Sequence, residues 1–328
     1  FYPASQVMEY HFFLLALFTL AAGLSILETS ANPFVMALGP EENATQRLNL
    51  AQAFNPVGTN IGVFLAATLI LPNLNVADAT ARAMMPLEAL QQVQAEELKA
   101  VMFPYVAMAC VLFVIWLLIF LIKIPSASDV ETQEKHKSTL GCFRRLYANK
   151  HYRYGVIAQF FNVAAQVCIW TYTIQYVQEA IGGTEAEASL YLQYSLLVFL
   201  LARFTMTGIM TLINPSRLMV ILALVGSLLC LYAASTADIT GIWAVVLLSA
   251  CLSLMFPTIY GVALQKLGDD TKFGAAGLVM AILGGAIVPL LQGSVVDNFT
   301  TAISYVVPAG CFLIVATYGY FDLKSSRR

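Results

Sequence analysis

The sequence predicts an all-α polytopic membrane protein, and three observations carry that reading. Of 328 residues, 59% are hydrophobic and only 11% are charged, against about 25% charged in an ordinary soluble domain. Mean hydropathy is +0.75. Nine apolar segments occur, at roughly 10–38, 47–71, 100–122, 153–180, 188–212, 217–235, 241–265, 273–295 and 303–321. Each is long enough, at 1.5 Å rise per residue, to cross about 30 Å of hydrocarbon. Polar or turn-forming residues separate them, such as Gly39-Pro40-Glu41, Asn214-Pro215-Ser216 and Gly268-Asp269-Asp270.

Lys and Arg set the orientation. With the nine spans numbered in order, the loops near 39–47, 123–153, 213–217, 266–272 and the tail after 322 share one side and hold fourteen basic residues. The opposite side holds two, Arg82 and Lys99. The positive-inside rule then places the C-terminus in the cytoplasm and the start of the chain outside. Residue 1 is Phe, no basic leader precedes the first span, and Phe1-Tyr2-Pro3-Ala4 reads as the tail of an earlier helix. Three further helices in front would give twelve, with both ends inside. The expected division is a partial N-terminal bundle at 1–122 (the end of helix three and helices four to six), a cytoplasmic inter-domain loop at 123–152, and a C-terminal six-helix bundle at 153–328. Two-half designs of this kind bind substrate near the midplane between the halves.

Glu28 stands near the middle of the first span, where a carboxylate costs roughly 2.5 kcal/mol or more. Such a group faces a cavity, a partner or a proton path. Asn32 lies four residues on and Ser25 one turn earlier, on the same face. Pro33 cannot donate to the helix and loosens the backbone beside the acid. In the second span Gln52, Asn55 and Thr59 form another polar stripe, with Pro56 breaking the ladder. In the fourth, Gln159, Asn162, Gln166 and Thr173 form a third, with Trp170 nearby. Amides both donate and accept, which suits a neutral polyhydroxylated ligand, and an indole face can stack on a sugar ring. The competing reading is that these amides tie helices together at about 0.6 kcal/mol each. Three stripes in three helices, one with an acid, favour a binding role.

Arg203 is the second charge within a span, about 16 Å from the end of its helix by the helical rise. That depth leaves gating, an ion pair, helix carbonyls or substrate as its partner. Gly274-Ala275-Ala276-Gly277 and Gly284-Gly285-Ala286 permit close helix approach, and Pro257 offers a bending point in the seventh span. Cys110, Cys168, Cys230, Cys251 and Cys311 sit inside apolar runs and Cys142 in the basic loop, all read as free thiols. The spacing of His, Cys and acids gives no metal site, no nucleophile–base constellation marks an enzyme, and no basic stripe with interleaved aromatics marks nucleic-acid binding.

Several stretches resemble the fucose:proton symporter family of the major facilitator superfamily, which also includes glucose/galactose permeases. They are Ala21-Ala22-Gly23-Leu24 running into LETSANPF (27–34), LGPE (38–41), RLNLAQAFN (47–55), AQF (158–160), ARFTMTG (202–208), FPTIYG (256–261) and LGDDTKFG (267–274). The resemblance implies nine of twelve helices, beginning at the end of family helix three. It implies that Glu28 takes part in sugar binding and proton coupling, with a partner aspartate in a first helix that this chain does not contain. Asn32, Gln52 and Asn55 fall on positions of the polar cavity. Asn162 departs from the fucose-specific member, where an aromatic residue is expected, so the expected substrate is a hexose or related sugar. The expected activity is proton-driven import by alternating access, in a bacterial inner membrane, by a monomer embedded in lipid and needing no cofactor beyond the coupling proton. A chain without the first three helices is expected to be inactive alone. Two alternatives stay open: a proton-coupled exporter on the same fold, and a membrane sugar sensor that does not transport.

Overall fold

The computed structural model describes residues 1–7, 9–74, 82, 84–122, 139–265 and 267–325. The first part of the expected inter-domain loop (123–138), and Lys266, Arg327 and Arg328 of the charge count, lie outside the described residues. Among the described residues every regular element is helical. In chain order the α-helices are α1 (Tyr2–Val7), α2 (Tyr10–Ala37), α3 (Ala44–Gln52), α4 (Phe54–Leu65), α5 (Leu87–Leu121), α6 (Thr139–Ala148), α7 (Lys150–Ile181), α8 (Glu185–Ile209), α9 (Pro215–Ser235), α10 (Ile239–Leu252), α11 (Met255–Leu264), α12 (Thr271–Met280), α13 (Gly284–Asn298), α14 (Thr301–Ser304) and α15 (Val306–Ser325).

Among the described residues eight segments are long and apolar enough to cross a membrane. The ninth expected span is α7, 32 residues long and so about 48 Å; its glutamines, asparagine and tyrosines hold its hydropathy down. Four spans are interrupted. The second breaks at Ala53 ahead of Pro56, the seventh at Ser253–Leu254 ahead of Pro257, the eighth passes through a 3-10 turn at Ala281–Leu283, and the last breaks at Tyr305 ahead of Pro308. Helix α2 runs unbroken across Pro33.

Two expectations are corrected. The loop expected up to residue 99 ends sooner, since the helix that carries the third span begins at Leu87. Pro86 starts a run of strong helix formers there, whose polarity hides it from a search for apolar windows. Cys142, expected in a loop, lies on α6 and is buried together with Leu146, packed near Leu48, Tyr152 and Leu264.

Contacts divide the chain into two compact units: Phe1–Leu27 with Gly58–Asp129, and Glu28–Val57 with Val130–Arg328. In the first, α1 lies against α5, with the Phe1 and Tyr105 rings 4.6 Å apart. Arg82 holds Glu97 through two bonds of 2.9 and 2.6 Å. The apolar side chains of α5 between Val111 and Leu121 are exposed, a surface suited to lipid or further protein.

In the second unit α7 packs against α8, α10, α11, α13 and α15. Small residues make this possible, since Gly155, Ala158, Ala164 and Ala165 all lie buried along it. A Cβ on Gly284 would run into the Phe160 carbonyl, so the Gly284-Gly285 pair is a packing device. Local caps fix the helix ends. Thr184 and Glu187 form a capping box at the start of α8, worth about 1 kcal/mol. Asn214, followed by Pro215 in the first turn, caps α9, and Asp238 caps α10 through the Thr240 and Gly241 amides. Gly182, at φ 65°, closes α7 in the left-handed conformation that glycine tolerates.

Candidate functional site

Pro33 and Pro56 prepare the site by removing rungs from helices that carry acid and amide. Pro33 stands five residues after Glu28, within a turn of Asn32. Asn32 is buried and donates its Nδ2 to Glu28 Oε2 at 2.5 Å. From α3, Gln52 Nε2 reaches the same Oε2 at 3.2 Å and Asn32 Oδ1 at 2.8 Å. Three of the predicted site residues thus form one closed network, with a half-buried carboxylate accepting from two amides. Charge-assisted bonds of this kind are the stronger class. Asn55 sits on the exposed side of α4, just past the break.

Arg203 of α8 is 4% exposed, so its charge must be answered within the protein. Its Nη1 donates to the backbone carbonyl of Gln52 at 3.1 Å. That carbonyl is the one Pro56 leaves without its helical donor. The guanidinium lies 4.6 Å from the centre of the Phe199 ring, a cation–π contact. Phe199 in turn meets Trp170 edge-on at 5.1 Å, and Trp170 Nε1 donates to Ser249 Oγ at 3.1 Å. The partner of Arg203 is therefore a helix carbonyl and an aromatic face.

Gln159 and Asn162 are completely buried on α7, and none of their four side-chain polar atoms has a hydrogen-bond partner among the described residues. A buried amide left unpaired costs about 1–3 kcal/mol, so four such atoms on one helix face are a costly arrangement unless water or a ligand answers them. Gln166 is half-buried further along, and Thr173 returns its hydroxyl to the Ile169 carbonyl of its own helix. Sequence reasoning missed Tyr260 of α11. It is fully buried, lies beside Asn32 and within electrostatic reach of Glu28. Its position in a proline-broken apolar span is the signal that could have found it.

Helix α3 docks on α11 beside this network. Asn49 Nδ2 donates to Thr258 Oγ1 at 3.2 Å, Gln265 Nε2 to Thr45 Oγ1 at 3.4 Å, and Thr45 sits directly on Gly261. At the end of α2, Arg47 fastens the turn through the Met36 and Pro40 carbonyls at 2.6 and 2.8 Å.

Comparison with known proteins gives a consistent picture. The L-fucose-proton symporter of Escherichia coli is 38% identical over 99% of this chain and 75% of its own length. That of Haemophilus influenzae is 36% identical over 98% and 77%, and the glucose/galactose transporter of Brucella abortus is 32% identical over 99% and 75%. The crystal structure of the transporter FucP in the outward conformation superposes with a TM-score of 0.91 at 36% identity, covering 98% of this chain and 78% of that one. A bacterial homologue of the iron transporter ferroportin shares the fold alone, with a TM-score of 0.59 at 12% identity over 94% and 70%. The Major Facilitator Superfamily matches residues 4–282, and the chain belongs to that family.

Proposed function

We propose that this protein is a proton-coupled symporter that carries a hexose or related sugar by alternating access, with Glu28 as the proton-binding group. The observation that carries the reading is the network of Glu28, Asn32 and Gln52. A carboxylate alone would serve a proton path, and amides alone could be structural glue. Joined on one oxygen, they let a proton and a hydroxyl-rich ligand compete for, or share, the same partners. Relatives that carry L-fucose with protons, and others named for glucose and galactose, support the cargo class. Asn55, Gln159, Asn162 and Gln166 supply further amides for sugar hydroxyls, and Trp170 an aromatic face.

In this reading the end of the bundle carrying Arg47 and the C-terminus is cytoplasmic, as the Lys and Arg distribution requires. The docking of α3 on α11 and α8 then closes the cytoplasmic side. The likeness to a transporter in the outward conformation agrees with that state. The reading keeps the division into a partial N-terminal bundle (1–122), a cytoplasmic inter-domain loop (123–152) and a C-terminal six-helix bundle (153–328), while residues 28–57, α3 among them, pack with the C-terminal part. Coupling arises because burial disfavours a charged carboxylate and a positive neighbour favours it. If the two access states differ in those surroundings, proton occupancy and conformation are linked.

The test is sugar-induced proton movement in proteoliposomes holding the full-length protein. L-fucose, D-galactose and D-glucose are added in turn while external pH is followed, with a lipophilic cation as the exporter control. Alkalinisation of the medium with at least one sugar is expected. A response to the lipophilic cation, and to none of the sugars, overturns the reading.

A further inference from the structure

The transport reading leaves the junction of α6 and α7 without a task. From Thr139 to Gly155 the chain carries Arg144, Arg145, Lys150 and Arg153 and no Asp or Glu. One of these cations is spent on docking. Arg145 grips Asp270 through two bonds of 2.7 and 2.5 Å, with Asp269 on the same flank. Cys142 and Leu146 bury α6 against the body of the unit, and Tyr152 Oη donates to the Gly274 carbonyl at 2.9 Å, tying the first turn of α7 to α12. Asp322 of α15 is held by His151 at 2.8 Å and by Ser216 at 2.5 Å. Arg144, Lys150 and Arg153 are left with no carboxylate at salt-bridge distance among the described residues.

The side chains around these three cations follow the order of a bilayer edge. Phe143 and Tyr147 are 60% and 73% exposed. The Arg153 guanidinium lies between the Tyr147 and Tyr154 rings, 5.4 and 5.7 Å from their centres, a cation–π clamp that fixes its head group at the surface. One turn further along α7, Ile157 is exposed beside Tyr154. Cations, then aromatic rings, then an aliphatic side chain therefore succeed one another along the helix. The length of α7 supplies the depth. Its 32 residues span about 48 Å and exceed the hydrocarbon by about 18 Å, so the first turn of a centred helix stands among headgroups. A soluble acidic partner would answer the charges but not the aromatic and aliphatic steps. A phosphate-bearing lipid answers all three.

We propose that α6 and the first turn of α7 form a binding platform for anionic phospholipid of the adjacent leaflet, with Arg144, Lys150 and Arg153 meeting the phosphate and Phe143, Tyr147 and Tyr154 seated in the interface. By the distribution of Lys and Arg that leaflet is the cytoplasmic one. The proposal needs only that α7 spans the bilayer, so it is tested apart from the transport reading. It fastens the connecting segment of the chain to the membrane at the point where Arg145 already docks α6.

The experiment is native mass spectrometry of the full-length protein released from detergent with phosphatidylglycerol or phosphatidylcholine at equal concentration. Phosphatidylglycerol is expected to be retained at least about tenfold more tightly. Each single change, Arg144→Gln, Lys150→Gln or Arg153→Gln, should weaken that retention about fivefold, and the triple variant should abolish the preference. Lys99→Gln, a cation of α5, should leave it at the parent value. Arg144→Lys combined with Arg153→Lys keeps the charge and should keep the preference. If the triple variant does not fold, the single variants and the lysine pair decide. The proposal is overturned if the Gln variants retain phosphatidylglycerol like the parent, if phosphatidylcholine is held as tightly, or if the lysine pair loses the lipid as fully as the Gln variants. Inorganic phosphate that displaces phosphatidylglycerol at equal concentration would identify a soluble anion as the occupant and overturn it likewise.

Discussion

Replacing Glu28 by Gln isolates the proton from the sugar. The amide is the neutral isostere of the protonated acid, and its oxygen can accept from Asn32 and Gln52 as Oε2 now does at 2.5 and 3.2 Å. Hydrogen bonds to a charged partner contribute about 1.5–3 kcal/mol and neutral ones about 0.5–1.5, so each contact weakens by roughly 1 kcal/mol. Glu28 is only half-buried, and solvent screening brings the pair to roughly 1 kcal/mol in all. Sugar affinity and exchange should therefore change by less than about tenfold. Accumulation is another matter. One pH unit across the membrane is worth about 1.4 kcal/mol per proton, or tenfold in sugar ratio. Without a titrating group that ratio should fall to about one. The assay compares radiolabelled sugar uptake under an imposed pH gradient with counterflow at equal pH, in the same proteoliposomes. Concentrative uptake by Glu28→Gln equal to the parent would remove Glu28 from the coupling path and refute the reasoning.

Two further outcomes test the packing and the surface electrostatics. A Cβ on Gly261 would stand 2.8 Å from Thr45 Oγ1 and 3.2 Å from its Cα; the backbone atom cannot rotate away, so Gly261→Ala should push α3 off α11 at a cost of about 1–3 kcal/mol. Thermal unfolding in detergent checks this against Gly208→Ala, where nothing lies within 4 Å and the midpoint should hold or rise. Asp238, which caps α10 just outside its span, is held below the usual carboxylate range by the Thr240 hydroxyl and the Gly241 amide. A carboxylate with a lowered folded value stabilises above the ordinary range near pH 4 and loses that as pH falls through the folded value. Asp238→Asn keeps a capping oxygen without the charge. The stability difference between parent and variant should shrink as pH drops from 6 to 3, and a gap that widens instead would contradict the assignment.

Much of the site was legible because its geometry is local. Glu28 and Asn32 are four apart on one helix, and their bond follows from helical spacing alone. The apolar spans were equally plain, since each must satisfy its own backbone in lipid. The start of α5 at Leu87 was hidden because a polar helix outside the bilayer has no apolar window to display. The pairing of Asn49 with Thr258 joins residues 209 apart in sequence, and nothing in either helix's periodicity selects the other. The spacing of Gln159 and Asn162 marked a polar face of α7, but that both amides would lie buried without protein partners depends on five neighbouring helices.

Arg203 shows where the boundary runs. A proline at 56 announces in sequence that the carbonyl at 52 will lack a donor, and a lone arginine within a span announces that a cation will need an acceptor. Each half of the pair is readable, yet a backbone carbonyl leaves no mark by which a distant side chain could be matched to it. The structure makes the match, 151 residues apart, and it does so at the residue whose side chain already holds the acid. A helix break is cheap to move, because it has few internal hydrogen bonds to lose. Fastening a charge to such a break places the most electrostatically sensitive contact of the unit at its mechanically softest point. A break fastened in this way is an element able to answer a change at either partner with motion rather than strain.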